Sequence, residues 1–369
     1  MAQVTPYKVK AVGLVSPQGD LKLIVQATLK PLGAKDLLIK VEAVSVNPAD
    51  HMILQRARSN ALSEENPTIV GFDASGVVVK VGADCKLFKV GDQVFYAGSN
   101  LRSGSHQNYQ IVDERIVGKK PKKLSHTEAA AIPLVALTAY EGLVEEMRIT
   151  DTGKQQKINK NILIVGGAGG VGSMTIQIAK KVLGLTVIAT ASREESKRFC
   201  IEMGADYVIN HNQALADELK KINIDGLDYI YNCVVMGQNY FNQFTSLIKP
   251  FGHILGIVGF DELLDLKPLF YKRAKITAEF MFTRSMFNLE PEKQNQILNR
   301  ISDLYEKGIL ISTLQTSKQF TIENLKYMLK QSESGKSIGK MVLYDVQEFF
   351  GEKSDQLKSP KNTSCFSFF

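Results

Sequence analysis

Six consecutive residues, Gly167-Ala168-Gly169-Gly170-Val171-Gly172, constrain this chain more than any other feature. They fit G-x-G-x-x-G, a pattern that glycine-rich chains produce often and that gains meaning only between a strand and a helix. Both neighbours are expected here. The apolar run NILIV (161–165) reads as a strand, and the segment after the glycines puts Ile176, Ala179, Val182 and Leu183 on one helical face. In that setting the early glycines permit a tight turn, the middle one lets a pyrophosphate approach the backbone, and Gly172 lets helix and strand pack closely. A pyrophosphate would lie against free amide N–H groups at the positive end of the helix dipole. Gly167, Gly169, Gly170, Val171 and Gly172 are therefore read as cofactor-binding positions.

The pattern around this turn extends in both directions. From about residue 128 onward, strand-like runs at 161–165, 185–192, 206–210, 227–235 and 253–259 alternate with helical segments. Near-continuous apolar strands separated by helices predict an α/β unit, a doubly wound parallel sheet covered on both faces. Earlier, short β-type runs at 37–46, 75–82 and 90–98, punctuated by glycine and proline, predict a mainly β domain. Beyond about residue 285, helix-like segments at 291–307 and 321–331 lead to a last strand at 340–346. The polar tail, 347–369, is expected to be mobile.

The choice of dinucleotide turns on the end of the second strand. NAD binders usually hold the ribose hydroxyl with an acidic residue about 20 positions beyond the motif. Counting from Gly172 reaches Ser192, followed by Arg193, with Lys197 a helical turn further on. One hydroxyl and two cations suit a 2′-phosphate, so the expected cofactor is NADPH. Glu194 and Glu195 read as the first turn of the next helix, where carboxylates favour the dipole.

Composition removes other classes. With 44% hydrophobic and 22% charged residues, the chain reads as an ordinary globular protein, and 369 residues suffice for two cores. No apolar run approaches the ~20 residues of a membrane span. Cys85, Cys200, Cys233 and Cys365 lie far apart without C-x-x-C pairing, which suits a reducing, cytoplasmic location. The net charge of +7 comes from scattered lysine pairs without a nucleic-acid-binding pattern. The expected partner is a small-molecule substrate, not a membrane or a nucleic acid.

The chain resembles the medium-chain dehydrogenase/reductase superfamily, and within it the zinc-independent quinone-oxidoreductase and zinc-type alcohol dehydrogenase-like group. The likeness spans roughly residues 8–346. It rests on VSVNPAD (44–50), PTIVGFDASGVVVKVG (67–82), VGDQVF (90–95), EAAAIPLVALTAYEGL (128–143), GGAGGVGSMTIQIAK (166–180), GADYVINH (204–211) and IGKMVL (338–343), occurring in that order. The resemblance implies a GroES-like catalytic domain at 1–130, a Rossmann domain inserted at 131–280, a returning catalytic segment at 281–346, and a homodimer.

Departures from the family pattern are equally informative. Zinc-dependent members carry cysteine where this chain has Asn47 and Gly-His-Glu where it has Gly71-Phe72-Asp73, so no metal site is expected. The group reduces quinones or α,β-unsaturated carbonyls by hydride transfer, with hydrogen-bond donors at the developing oxyanion. The resemblance puts Asn47 at the substrate, Thr138 and Gly256 near the nicotinamide together with Gly259, His211 beside the adenine, and Lys340 on the cofactor phosphates. Many quinone reductases carry tyrosine five residues after the asparagine. Here Met52 stands there, and Tyr96 is the substitute catalytic candidate, with a buried packing tyrosine as the alternative reading. Phe280, Met281 and Phe282 are read as walls of the substrate pocket or a dimer interface. A catalytically weak NADPH-binding scaffold or regulatory subunit is the competing reading.

Overall fold

Six apolar runs form one parallel sheet: Asn161–Val165, Thr186–Thr190, Tyr207–Ile209, Leu227–Asn232, Ile248–Gly256 and Lys275–Ala278. The computed structural model describes residues 9–351 apart from 27–30, 60–61, 64–66, 155–156 and 260–261. Across the sheet the strands run third, second, first, fourth, fifth, sixth. The order reverses between the first and fourth strands, which in a doubly wound sheet opens a crevice outside their carboxyl ends. Helices on both faces explain why the first strand is apolar without alternation. Ile162 and Ile164 pack with Ile176 on one side, and Leu163 and Val165 pack with Phe241 and Phe244 on the other.

The mainly β part is organised by the long strand Asp36–Val46. It pairs antiparallel with Ala74–Val81, with Tyr109–Asp113 and with the late strand Lys340–Tyr344, where Met341 faces Val46. The chain thus returns, after the parallel sheet, to complete the sheet it began. Leu37, Ile39, Val41, Phe320 and Leu343 fill the resulting core. This is the expected architecture, a doubly wound sheet inserted in a mainly β domain. The helix Pro133–Tyr140 leads from one to the other, and its residues from Pro133 to Ala139 are all buried.

The first residues of the expected mobile tail are in fact ordered. Val346–Phe349 forms a short helix, and buried Gln347 donates through Nε2 to Val41 O at 2.6 Å and Asn108 O at 2.7 Å. Phe349 and Phe350 stack around Phe320, with ring centroids at 5.2 and 5.7 Å. Two aromatic rings and an amide nitrogen bonded to two carbonyls anchor a stretch that its polar neighbours made look like a tail. The remainder of that segment, 352–369, lies outside the described residues.

The closeness of strand and helix at the glycine turn is measurable. A Cβ on Gly172 would stand 2.2 Å from Gly166 O, and Gly166 itself has φ +76°. Gly172→Ala is expected to lower stability by about 1–3 kcal/mol through overpacking. Urea unfolding checks this, and an unchanged midpoint would contradict so tight a contact.

Candidate active site

All but two of the expected cofactor positions follow from strand polarity. Parallel strands end on one edge, so Gly167, Ser192, His211 and Gly256 lie at the carboxyl ends of the first, second, third and fifth strands. The glycine turn opens the helix Gly170–Gln177. Gly169 is its extended N-cap, with Gly169 N donating to Gly166 O at 3.0 Å. Gly170, Val171 and Gly172 form the helix's first turn, whose amides have no acceptor within the helix. A Cβ at Gly170 would meet Lys340 Cδ at 2.9 Å and Val135 Cγ1 at 3.2 Å, so the bare backbone is what leaves the turn open. At the end of the fourth strand, buried Asn232 donates to Val234 O at 2.6 Å while its Oδ1 has no partner. An open turn with free amides and an orphaned buried acceptor on the same edge fit a dinucleotide.

Facing this edge, the β domain contributes a buried polar cluster centred on Asp73. Its Oδ2 accepts from Ser45 Oγ at 3.0 Å, Asn47 Nδ2 at 2.8 Å and Lys340 Nζ at 3.1 Å. Its Oδ1 accepts the Leu134 amide at 2.7 Å, in the first turn of the helix Pro133–Tyr140. Lys340 donates further to Val46 O at 3.2 Å and to Asn47 Oδ1. A lysine ammonium only donates, so its bond fixes the Asn47 amide with oxygen towards Lys340 and nitrogen towards Asp73. Asn47 is also the N-cap of the helix Pro48–Ala57, where its amide donates to Asp50 Oδ2 at 2.7 Å. Burial pushes the Asp50 carboxyl up to about 7, against the opposing pull of the Asn47 amide and the Lys340 charge. Beside the cluster, Phe72 and Phe282 stack at 4.5 Å between centroids, with Phe280 5.4 Å from Phe282.

Several expected roles need correction. Lys340 does not offer its ammonium to the phosphate turn. Its stem crosses Gly170, and its charge is spent on Asp73 and Asn47. Tyr96 is fully buried in the β-domain core and donates to Gln110 Oε1 at 2.8 Å; burial raises its hydroxyl well above the usual range, so it is no acid for a substrate. Asn47 is 1% exposed, so a substrate reaches it only if neighbouring side chains move. Thr138 donates Oγ1 back to Leu134 O at 2.9 Å, and its carbonyl accepts Tyr231 Oη at 2.7 Å. Lys197 pairs with Glu194 at 2.7 Å rather than standing free beside Arg193. A Cβ at Gly259 would meet open space, so that glycine relieves no clash.

The sequence reading missed Asp73 as a hub, together with Ser45 and Lys336. The exposed Arg193 donates Nη2 to the backbone carbonyl of Lys336 at 2.7 Å, which ties the end of the second strand to the segment before the last strand. The signal for Lys340 was a lone lysine opening an apolar strand, a position where burial demands a charge partner.

Comparison with known proteins agrees with this layout. Residues 33–122 match the family described as alcohol dehydrogenase GroES-like domain, and residues 170–295 the family described as zinc-binding dehydrogenase. A zinc-type alcohol dehydrogenase-like protein of Staphylococcus aureus is 39% identical over 340 residues, covering 90% of this chain and 99% of that protein. A Rhizobium etli structure designated a zinc-dependent alcohol dehydrogenase superposes with a TM-score of 0.81 at 37% identity, over 91% of this chain and 98% of that one. The NADPH-dependent alkenal/one oxidoreductase of Arabidopsis thaliana is 28% identical over 333 residues, 88% of this chain and 76% of that protein. Fold, site and relatives define an oxidoreductase of the nicotinamide-dependent kind. The chain belongs to the medium-chain dehydrogenase/reductase superfamily.

The Asp73–Lys340 pair makes a stability prediction. Lys340→Met or Asp73→Asn leaves one buried charge uncompensated and is expected to cost about 3–5 kcal/mol. The double variant should cost less than the sum of the two. Denaturant unfolding of the four proteins checks this, and additive losses would contradict a coupled pair.

Proposed function

We propose that this chain is an NADPH-dependent reductase of quinones or α,β-unsaturated carbonyls that works without zinc. The observation that carries the reading is the ammonium of Lys340 at the centre of the Asp73 cluster. Asp73 and Asn47 already hold a cation there, and Phe72 offers no donor, so the residues present do not fit a zinc ion. The name of the Arabidopsis relative, NADPH-dependent alkenal/one oxidoreductase, supports the cofactor and the substrate class. Ser192 and Arg193 support a 2′-phosphate, as no carboxylate replaces Ser192 at the end of the second strand.

Bound NADPH supplies a hydride. The chain's own residues bind, orient and shield. The first-turn amides of Gly170, Val171 and Gly172 take the pyrophosphate, and Gly256 leaves backbone beside the ring. Asn47 Nδ2 spends one hydrogen on Asp73, and its second is assigned here to the substrate's carbonyl oxygen. Lys340 and Asp73 are positioning residues, since they fix which end of that amide points where. Phe72, Phe280 and Phe282 present an apolar face that excludes water, and the proton that completes reduction comes from solvent.

Two measurements test this. NADPH should bind more tightly than NADH, and Arg193→Ala should remove about 1.5–3 kcal/mol of that preference by deleting a charge-assisted contact; equal affinities in the unaltered protein would refute the cofactor assignment. NADPH oxidation should proceed with quinones or enones, persist in chelator, and exceed NADP reduction by simple alcohols. Asn47→Ala should lower turnover roughly 10²-fold if the protein remains folded. A stoichiometric zinc, or a secondary alcohol as the better substrate, would overturn the mechanism.

A further inference from the structure

Away from the cleft, carboxyl groups crowd the place where the chain passes between its two sheets. Glu141 opens the π-wound segment Glu141–Glu146 directly after the helix that bears Thr138. Glu279 follows the sheet's last strand, and its amide donates to Gly256 O at 3.0 Å. The two residues are 4% and 7% exposed, and their carboxyl groups lie within hydrogen-bonding reach of each other. Gln294, fully buried, spends its amide nitrogen on Met281 O at 2.6 Å. Among the described residues, Glu141 Oε1, Glu279 Oε1 and Gln294 Oε1 have no hydrogen-bond donor.

The charges around the pair sharpen the problem. Arg284 Nε stands 3.4 Å from Glu141 Oε1, but its other nitrogens face Glu145 and, at 3.5 Å, Glu290. Glu145 and Glu146 repel ionisation of Glu279 from the π-wound segment. From the sheet, Tyr231 faces the pair as a neutral group, held above its ordinary range chiefly by burial. Two buried carboxylates that share part of one guanidinium and lean on the amide of Gln294 beside Glu141 are not a stable arrangement. A single proton repairs it.

We propose that Glu279 is a neutral acid in the folded protein and donates its proton to Glu141, making a carboxyl–carboxylate clasp between the helix that carries Thr138 and the strand end that pairs with Gly256. These two residues are positioning residues: they touch neither substrate nor cofactor and join the two elements expected to flank the nicotinamide. Burial first, then the neighbouring Glu141, holds Glu279 well above the usual carboxyl range, while burial raises Glu141 against the pull of Arg284. The sign of the linkage follows. The folded state keeps a proton that the unfolded state loses above its ordinary carboxyl pKa, so the clasp's stabilisation is full in acid and declines as pH rises.

The test uses the whole protein and needs no turnover, so it stands apart from the proposed reaction. Urea unfolding is followed from about pH 6 to pH 9 for the unaltered protein, Glu279→Gln and Glu141→Gln. Glutamine at 279 remains a neutral donor without a proton to lose. The folding constant of the unaltered protein should fall up to about tenfold per pH unit relative to that of Glu279→Gln, one proton being at stake. Infrared spectra in heavy water should show a neutral carboxyl band near pH 7 that Glu279→Gln removes. Parallel pH curves or a missing band would overturn the proposal. So would stability that rises with added potassium or calcium in place of the band, because the oxygens would then hold a cation. Should Glu279→Gln fail to fold, Glu141→Gln repeats both readouts from the acceptor side, where loss of the paired proton shifts the curve and the band alike.

Discussion

Everything at the cleft depends on one buried carboxylate. Asp73 accepts four hydrogen bonds, from Ser45, Asn47, Lys340 and the Leu134 amide. Those donors come from four stretches of chain: the end of the long β strand, the loop after it, the last strand, and the helix leading into the parallel sheet. A carboxylate without water needs that many partners to be tolerated. Removing one loosens not a single contact but the register between the β domain and the helix that bears Thr138. The helix gains too, since Asp73 sits at its positive end.

The carboxyl edge of the parallel sheet was largely legible in the sequence, for a physical reason. Parallel strands with helical crossovers must all end on one side, so a residue's place just after an apolar run is also its place in space. That is why Ser192 could be put on one edge with Gly167 without knowing a single contact; His211 and Gly256, placed by the family resemblance, end on the same edge. The motif needed only its local neighbours, a strand before and a helix after, and these are short-range properties.

The polar cluster was not legible, because its content is pairing between distant residues. Lys340 and Asp73 are 267 positions apart, and nothing local tells a lysine whether to meet a phosphate or a carboxylate. Tyr96 read equally well as a catalytic candidate or a buried packing tyrosine; Gln110, which takes its hydroxyl inward, settles it as the latter. Gln347 looked polar and free, yet its amide reaches Val41 and Asn108. In each case composition was read correctly and the partner was invisible. Orientation was invisible as well: the bonds from Lys340 and to Asp73 decide which way the Asn47 amide faces.

The helix Pro133–Tyr140 draws these threads together. Its amino end is held by Asp73, and its carboxyl end runs into Glu141 and the acid pair. Between the two ends, the carbonyl of Thr138 receives the hydroxyl of Tyr231 from the parallel sheet. A buried apolar helix alone could slide or rotate along its axis at modest cost, because dispersion contacts are not directional. The charge-assisted bond at its amino end and the Tyr231 hydroxyl on the Thr138 carbonyl are directional, and they convert a greasy connector into a fixed spacer. The distance between the β domain's polar cluster and the sheet's carboxyl edge is then set by the length of this helix. A hydride acceptor placed across the cleft would find both walls held in register by Asp73 at one end of these eight residues and by Tyr231 towards the other.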